Sequence, residues 1–238
     1  MPPSIAENLA AVRSRMAEAA RRAGRNPDDV RLIAVSKTHP AEAVREAMAA
    51  GQRLFGENRV QEAVAKIEAV GQPAAGGGPE WHLIGHLQTN KAKLVPGRFH
   101  AVHSVDSERL AKALSSHVAT GTPKLQVFLQ LNLHREASKS GAEDYLAAGQ
   151  LLAAIRQMPG LEPVGLMTIP DPALSEPLTR AHFAEVRGML EQLRADFAPG
   201  PAFRELSMGM SHDFEWAIAE GATLVRVGTA IFGARGTH

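Results

Sequence analysis

Lys37 has the strongest case for chemistry. It ends an apolar run, residues 31–36 (RLIAVS), and alternation along a strand puts it on the same face as Ile33 and Val35. An amine in partly dehydrated surroundings loses proton affinity and becomes a nucleophile, suited to a Schiff base with a carbonyl compound. The other reading of Lys37 is a lysine that snorkels from a strand end. A second group lies in residues 223–233 (TLVRVGTAIFG). Gly228 lets the backbone come close to a ligand, and N–H groups at a helix start beginning with Thr229 can bind phosphate. Arg226 shares a face with Gly228 and should point inward, where a buried guanidinium needs a ligand atom or a carboxylate as partner. Residues 207–211 (SMGMS) add two hydroxyls, Ser207 and Ser211. These serve either the same phosphate or, for Ser211, the cap of a following helix.

Other chemistries are poorly supplied. The chain has 238 residues and no cysteine, which excludes disulfides, thiol catalysis, iron–sulfur clusters and cysteine-bound zinc. His82, His86, His100 and His103 raise a metal question. However, the first strand lacks the H-x-H pair usual in a barrel metallohydrolase, and satisfied or exposed histidines are the alternative. A net charge of +1 argues against broad nucleic-acid binding. The apolar stretch 145–155 contains Gln150 and is shorter than the ~20 residues of a membrane span, so no membrane partner is expected. Arg13, Arg15, Arg21, Arg22 and Arg25 suggest a transit peptide, but Glu7, Glu18 and the helical spacing of Ile5, Leu9, Val12, Met16 and Ala20 oppose it. The expected location is the cytoplasm.

The elements that must position these residues alternate between two hydrophobic periods. After a leading helix capped by Ser4 and stopped at Gly24, strands are predicted at 31–36, 54–56, 81–86, 99–105, 125–133, 161–169, 203–208 and 223–227. Helices are predicted between them at about 40–50, 60–70, 91–95, 107–118, 143–158, 179–197 and 211–220. Strict β/α alternation implies a parallel sheet. Eight such units in 238 residues have the count and size of a (β/α)8 TIM barrel of class α/β, a single domain over 1–238. An open doubly wound sheet is less favoured because no G-x-G-x-x-G follows the first strand. In a barrel the chemistry sits at the C-terminal ends of strands, and the loops after strands 7 and 8 are the usual phosphate site. Lys37 then lies at the barrel mouth with Arg226 expected opposite it across the barrel. The glycine-rich loop 71–79 (GQPAAGGGP) belongs to the other face. Trp81 and Trp216 are expected in packing roles.

The segments LIAVSKTHP (32–40), FGENRVQE (55–62), WHLIGHLQTNK (81–91), HSVDS (103–107), GLMTIP (165–170) and LSMGMSHDFEWAIAEGATLVRVGTAIFG (206–233) closely resemble the YggS/PROSC family of pyridoxal 5′-phosphate (PLP) homeostasis proteins. The family is similar to the barrel domain of alanine racemase standing alone. The resemblance implies an aldimine between Lys37 and PLP, Asn58 near the cofactor ring, and Arg226 facing the pyridine nitrogen. It implies Ser211, Gly228 and Thr229 as phosphate binders, with Ser207 close to them. It also implies a PLP-binding carrier or regulator without robust turnover, acting in vitamin B6 and amino-acid balance, with apo PLP-dependent enzymes as recipients. The alternative is an amino-acid racemase of low activity. In alanine racemase the second acid/base is a tyrosine from another domain and subunit, whereas this chain has one tyrosine, Tyr145. Loss of the dimerising domain implies a monomer. Lys139, in the loop after the fifth strand, is a candidate second contact to PLP.

Overall fold

The computed structural model describes residues 3–71, 78–136 and 140–233. Eight parallel strands close into a barrel in sequence order: β1 (Arg31–Val35), β2 (Leu54–Glu57), β3 (Glu80–Leu83), β4 (Ala101–Val105), β5 (Leu125–Gln130), β6 (Leu161–Met167), β7 (Glu205–Ser207) and β8 (Leu224–Val227). The helices are α1 (Ile5–Arg22), α2 (Ala41–Ala49), α3 (Val60–Val70), α4 (Glu108–Ser115), α5 (Tyr145–Arg156), α6 (Glu176–Phe197), α7 (Phe214–Ala219) and α8 (Thr229–Phe232). The unit after β3 holds a 3-10 helix, Thr89–Leu94, in place of an α-helix.

Alternation along β1 sorts its side chains as the sequence predicts. Leu32 and Ala34 join the core between barrel and helices, while Ile33 joins the barrel interior with Ala101, Phe128, Val164, Met167 and Leu224. The interior is thus a packed plug under the mouth, as expected for an eight-stranded barrel. Pro163 has no N–H to give the ladder, and the β5–β6 register shifts beside it, between Val127 and Phe128. The short α8 leaves the β8–β1 seam thinly covered. α1 fills that place by packing against α7, α8 and α2. It is held by a Ser4–Glu7 capping box, by Asn8 Nδ2 donating to Ile231 O at 2.9 Å, and by the Arg15–Glu215 ion pair at 2.8 Å.

Several boundaries differ from expectation. α6 starts three residues early, at Glu176, because Pro177 fits the first helical turn, where no N–H is needed. β7 is only three residues long, and α7 begins at Phe214 rather than at 211. Gly209 turns the chain at φ +91°, the Met210 N–H bonds Asp213 Oδ1, and the Phe214 N–H bonds Met210 O. Asp213 therefore occupies the N-cap position and Ser211 is released into the loop. Arg226 does not lie across the barrel from Lys37. Closure pairs β8 with β1, with Ile33 opposite Arg226 in register, so the two residues come from neighbouring strands.

Candidate functional site

A cavity of about 430 Å³ opens at the C-terminal ends of the strands, within the ~300–1,000 Å³ usual for small-molecule sites. Six of the seven residues singled out from the sequence line it: Lys37, Asn58, Ser211, Arg226, Gly228 and Thr229. Ser207 does not. It is wholly buried below the cavity, where its Oγ accepts a hydrogen bond from Arg226 Nη1 at 2.7 Å. Lys139 lies outside the described residues, as does 72–77 of the glycine-rich loop.

Close backbone approach shapes two walls. A Cβ on Gly228 would meet Val35 O at 3.1 Å, so β8 runs into the mouth tight against β1. A Cβ on Gly85 would lie 2.2 Å from Asn58 O, so only glycine lets the loop after β3 settle on the backbone that presents Asn58. N–H groups in the first turn of a helix lack i−4 carbonyls, which leaves those starting α8 available to an acceptor.

Lys37 is held by what surrounds it in sequence. Ser36 Oγ donates to Glu57 Oε1 at 2.7 Å. Lys66 Nζ donates at 2.6 Å both to Ser36 O and to Glu57 Oε1. This ion pair is nearly dry, with side-chain exposures of 11% for Lys66 and 1% for Glu57. Thr38 follows Lys37 at φ +67°, a conformation costing a non-glycine residue about 1–3 kcal/mol, and the His39 N–H closes the turn onto Ser36 O. The turn carrying Lys37 is therefore pinned on both sides. His39 stacks on Phe232, and burial, then the Lys66 charge, holds its pKa below the ordinary value. Sequence reasoning missed Glu57 and Lys66. The available signal was an acidic residue ending a buried strand, which demands a cation or donors nearby.

Arg226 is 3% exposed. Nη1 donates to Ser207 Oγ and Nη2 to Thr168 O at 2.9 Å. Both acceptors are neutral. Burial draws the guanidinium down to about 10, with Asp213 opposing, so it stays a cation at neutral pH. Behind Ser207, His103 Nδ1 lies 2.8 Å from its Oγ, and His103 Nε2 lies 2.9 Å from His82 Nδ1. His103 stacks on Phe128 with ring centroids 4.1 Å apart. Burial pushes His82 down to about 3 and His103 well below the usual imidazole range, so both are neutral. His82 Nε2 is buried with no hydrogen-bond partner among the described residues, a loss of about 1–3 kcal/mol. His86 sits apart in the cavity wall, 3.6 Å from Asp106. Among the described residues no three His, Asp or Glu side chains are grouped to hold a metal ion.

The lysine amine, a buried cation and a glycine-lined backbone thus converge on one cavity. That set can take a carbonyl compound carrying a second polar group and an anion. The family profile described as alanine racemase, N-terminal domain, matches residues 8–236. A pyridoxal phosphate homeostasis protein of Pseudomonas aeruginosa is 49% identical, over 98% of this chain and 96% of its own. One from Escherichia coli K12 is 46% identical over 97% of both chains. The structure of PipY from Synechococcus elongatus with PLP bound superimposes with a TM-score of 0.84 at 40% identity, over 97% of this chain and all of that one. Alanine racemase from Corynebacterium glutamicum shares the fold at a TM-score of 0.68 and 21% identity, over 95% of this chain and 62% of its own.

Proposed function

The chain belongs to the alanine racemase N-terminal domain family, and on that premise we propose that it binds PLP at the barrel mouth and serves PLP homeostasis as a binding protein without robust turnover. The carrying observation is that Lys37 and the buried Arg226, brought to one cavity by adjacent strands, have Gly228 and Thr229 beside them.

PLP when bound supplies an aldehyde that condenses reversibly with an amine and a pyridine ring that can withdraw electrons. Lys37 Nζ offers the amine. The Ser36 anchors hold it at the mouth, which supports a fixed attachment point. Arg226 has neutral acceptors on its scaffold side and keeps its charge, so it would hold a pyridine nitrogen unprotonated and limit the electron sink. Ser211 Oγ and the N–H groups of Gly228 and Thr229 would hold the phosphate, and Asn58, in the same cavity lining, would lie near the ring. Ser207 serves from beneath, through Arg226. The fit is good in chemical terms: the aldehyde, the pyridine nitrogen and the phosphate of PLP each have a counterpart of suitable charge or donor character in the cavity lining.

Two features support binding over racemisation. Arg226 weakens carbanion stabilisation, and no tyrosine lines the cavity among the described residues to act as the second acid/base that alanine racemase uses. Tyr145, the one tyrosine in the sequence, starts α5 and donates to Asp196 rather than lining the cavity. On this reading the protein is a cytoplasmic monomer of one domain that passes PLP to apo-enzymes and has no nucleic-acid or membrane partner.

The test is an absorbance spectrum of the purified protein with PLP, followed by borohydride reduction and peptide mapping. The expected result is a yellow band that reduction removes, with the label on Lys37. A label elsewhere, or no band, overturns the reading. Transfer of PLP to an apo-enzyme without solvent-deuterium exchange at an amino acid α-carbon separates carrier from racemase.

A further inference from the structure

The contacts of Arg226 dictate an order of protons that reaches far below the cavity. A guanidinium has donors only, so at 2.7 Å from Arg226 Nη1 the Ser207 Oγ must accept. The serine's own proton must then go elsewhere, and His103 Nδ1 at 2.8 Å is the acceptor it meets. That makes Nε2 the protonated nitrogen of His103, and it donates to His82 Nδ1 at 2.9 Å. His82 in turn carries its proton on Nε2, the buried atom with no partner among the described residues. The opposite order fares worse. It would aim both Arg226 and His103 N–H groups at Ser207 Oγ, leave the serine proton without one of these acceptors, and still leave His82 Nε2 unmatched. One unmatched group at the far end, on the buried His82, is the smaller loss.

Resting on the PLP reading above, we propose that His103, backed by His82, is a positioning residue for Arg226: its Nδ1 turns the Ser207 hydroxyl into a fixed acceptor, and so aims the guanidinium at the cavity. Neither histidine lines the cavity, and His103 is wholly buried, so it acts from beneath, with Ser207 as the hydrogen-bonded link to Arg226. Without an acceptor at His103 the Ser207 hydroxyl is free to rotate and can present its proton to the guanidinium, donor against donor. Thr168 O, one residue past the end of β6, would then hold Arg226 by one nitrogen only. The arginine loses its aim, and the ring it should face reports the change.

The first measurement needs neither a variant nor PLP. Nitrogen-15 NMR of the wild-type protein without ligand should show both His103 and His82 neutral, with the proton on Nε2 and the Nδ1 unprotonated. A proton on His103 Nδ1 overturns the inference. The second measurement titrates PLP into His103→Phe, which keeps the stack on Phe128 but removes the acceptor, and into His103→Asn, which returns an acceptor near the place of Nδ1. The expected result is about tenfold weaker binding with a shifted absorbance maximum in His103→Phe, and recovery of both in His103→Asn. A wild-type spectrum and affinity in His103→Phe, or no recovery in His103→Asn, overturns it. Failure of the wild-type protein itself to take up PLP would refute the PLP reading, and the tautomer result would still decide the proton order.

Discussion

Lys66→Met tests whether the turn bearing Lys37 is held by the buried ion pair beneath it. The substitution keeps the length of the side chain and removes its charge. Lys66 Nζ contacts both Glu57 Oε1 and Ser36 O at 2.6 Å, and Glu57 is 1% exposed, so the carboxylate loses its cation in a dry place. Breaking a buried pair from one side costs about 3–5 kcal/mol, against about 0–1 kcal/mol for an exposed pair. For a chain of this size that lowers the melting temperature by roughly 6–20 °C. Urea unfolding followed by circular dichroism gives the free energy. The decisive comparison is the double variant Glu57→Gln/Lys66→Met, which removes the stranded charge while leaving an acceptor for Ser36 Oγ. It should be more stable than Lys66→Met alone, a second substitution that restores stability. His39 supplies an independent readout. Lys66 helps hold its pKa down while Glu57 raises it, so in Lys66→Met it should titrate higher by NMR. A loss below about 1 kcal/mol for Lys66→Met, with no gain in the double variant, would show that the pair behaves as a surface contact and does not pin Lys37.

Four further outcomes are expected. Lys37→Ala should lose the covalent attachment of PLP while keeping the far-ultraviolet spectrum and melting temperature, since its side chain serves the cavity and not the core; a persisting absorbance band would move the attachment to another lysine. Ser211→Ala should weaken PLP binding by roughly 10- to 150-fold without changing the spectrum, because a phosphate contact does not touch the conjugated ring. Arg226→Gln should weaken binding and also shift the spectrum, and titration of the two variants side by side separates the roles. Acid should destabilise the fold through His82, which is held to about 3 when folded and regains the ordinary ~6.5 when unfolded. The unfolded chain binds the extra proton, so stability is whole above pH 6.5 and falls as pH drops toward 3, by about 2 kcal/mol at pH 5 for this one group. His82→Gln should flatten that limb of the stability profile, and an unchanged limb would show that His82 is already protonated in the fold.

Much of this protein is local enough to be legible in its residues. The alternation of Leu32, Ile33 and Ala34 sorts one strand between two cores, and repetition of the β/α period implies the barrel before any contact is known. Lys37 at a strand end, and the glycine two residues after an inward arginine, mark the site because side-chain direction and backbone permissiveness are properties of a few consecutive residues. The turn at 209–213 was less legible, since Ser211 and Asp213 both suit an N-cap and only the hydrogen bond from the Met210 N–H chooses between them. Distances across the barrel were not legible at all. Closure makes β8 the neighbour of β1, so Arg226 stands beside the strand of Lys37 rather than opposite it. Glu57 meets Lys66 over one βα unit, and His82, His103 and Ser207 join from three strands spread along the chain. The sequence by itself determined which residues end strands and which face inward, because those depend on a period of two. Only the tertiary structure decided which buried polar groups satisfy one another, because a buried hydrogen bond depends on ångström distances between strands that sequence separation does not encode.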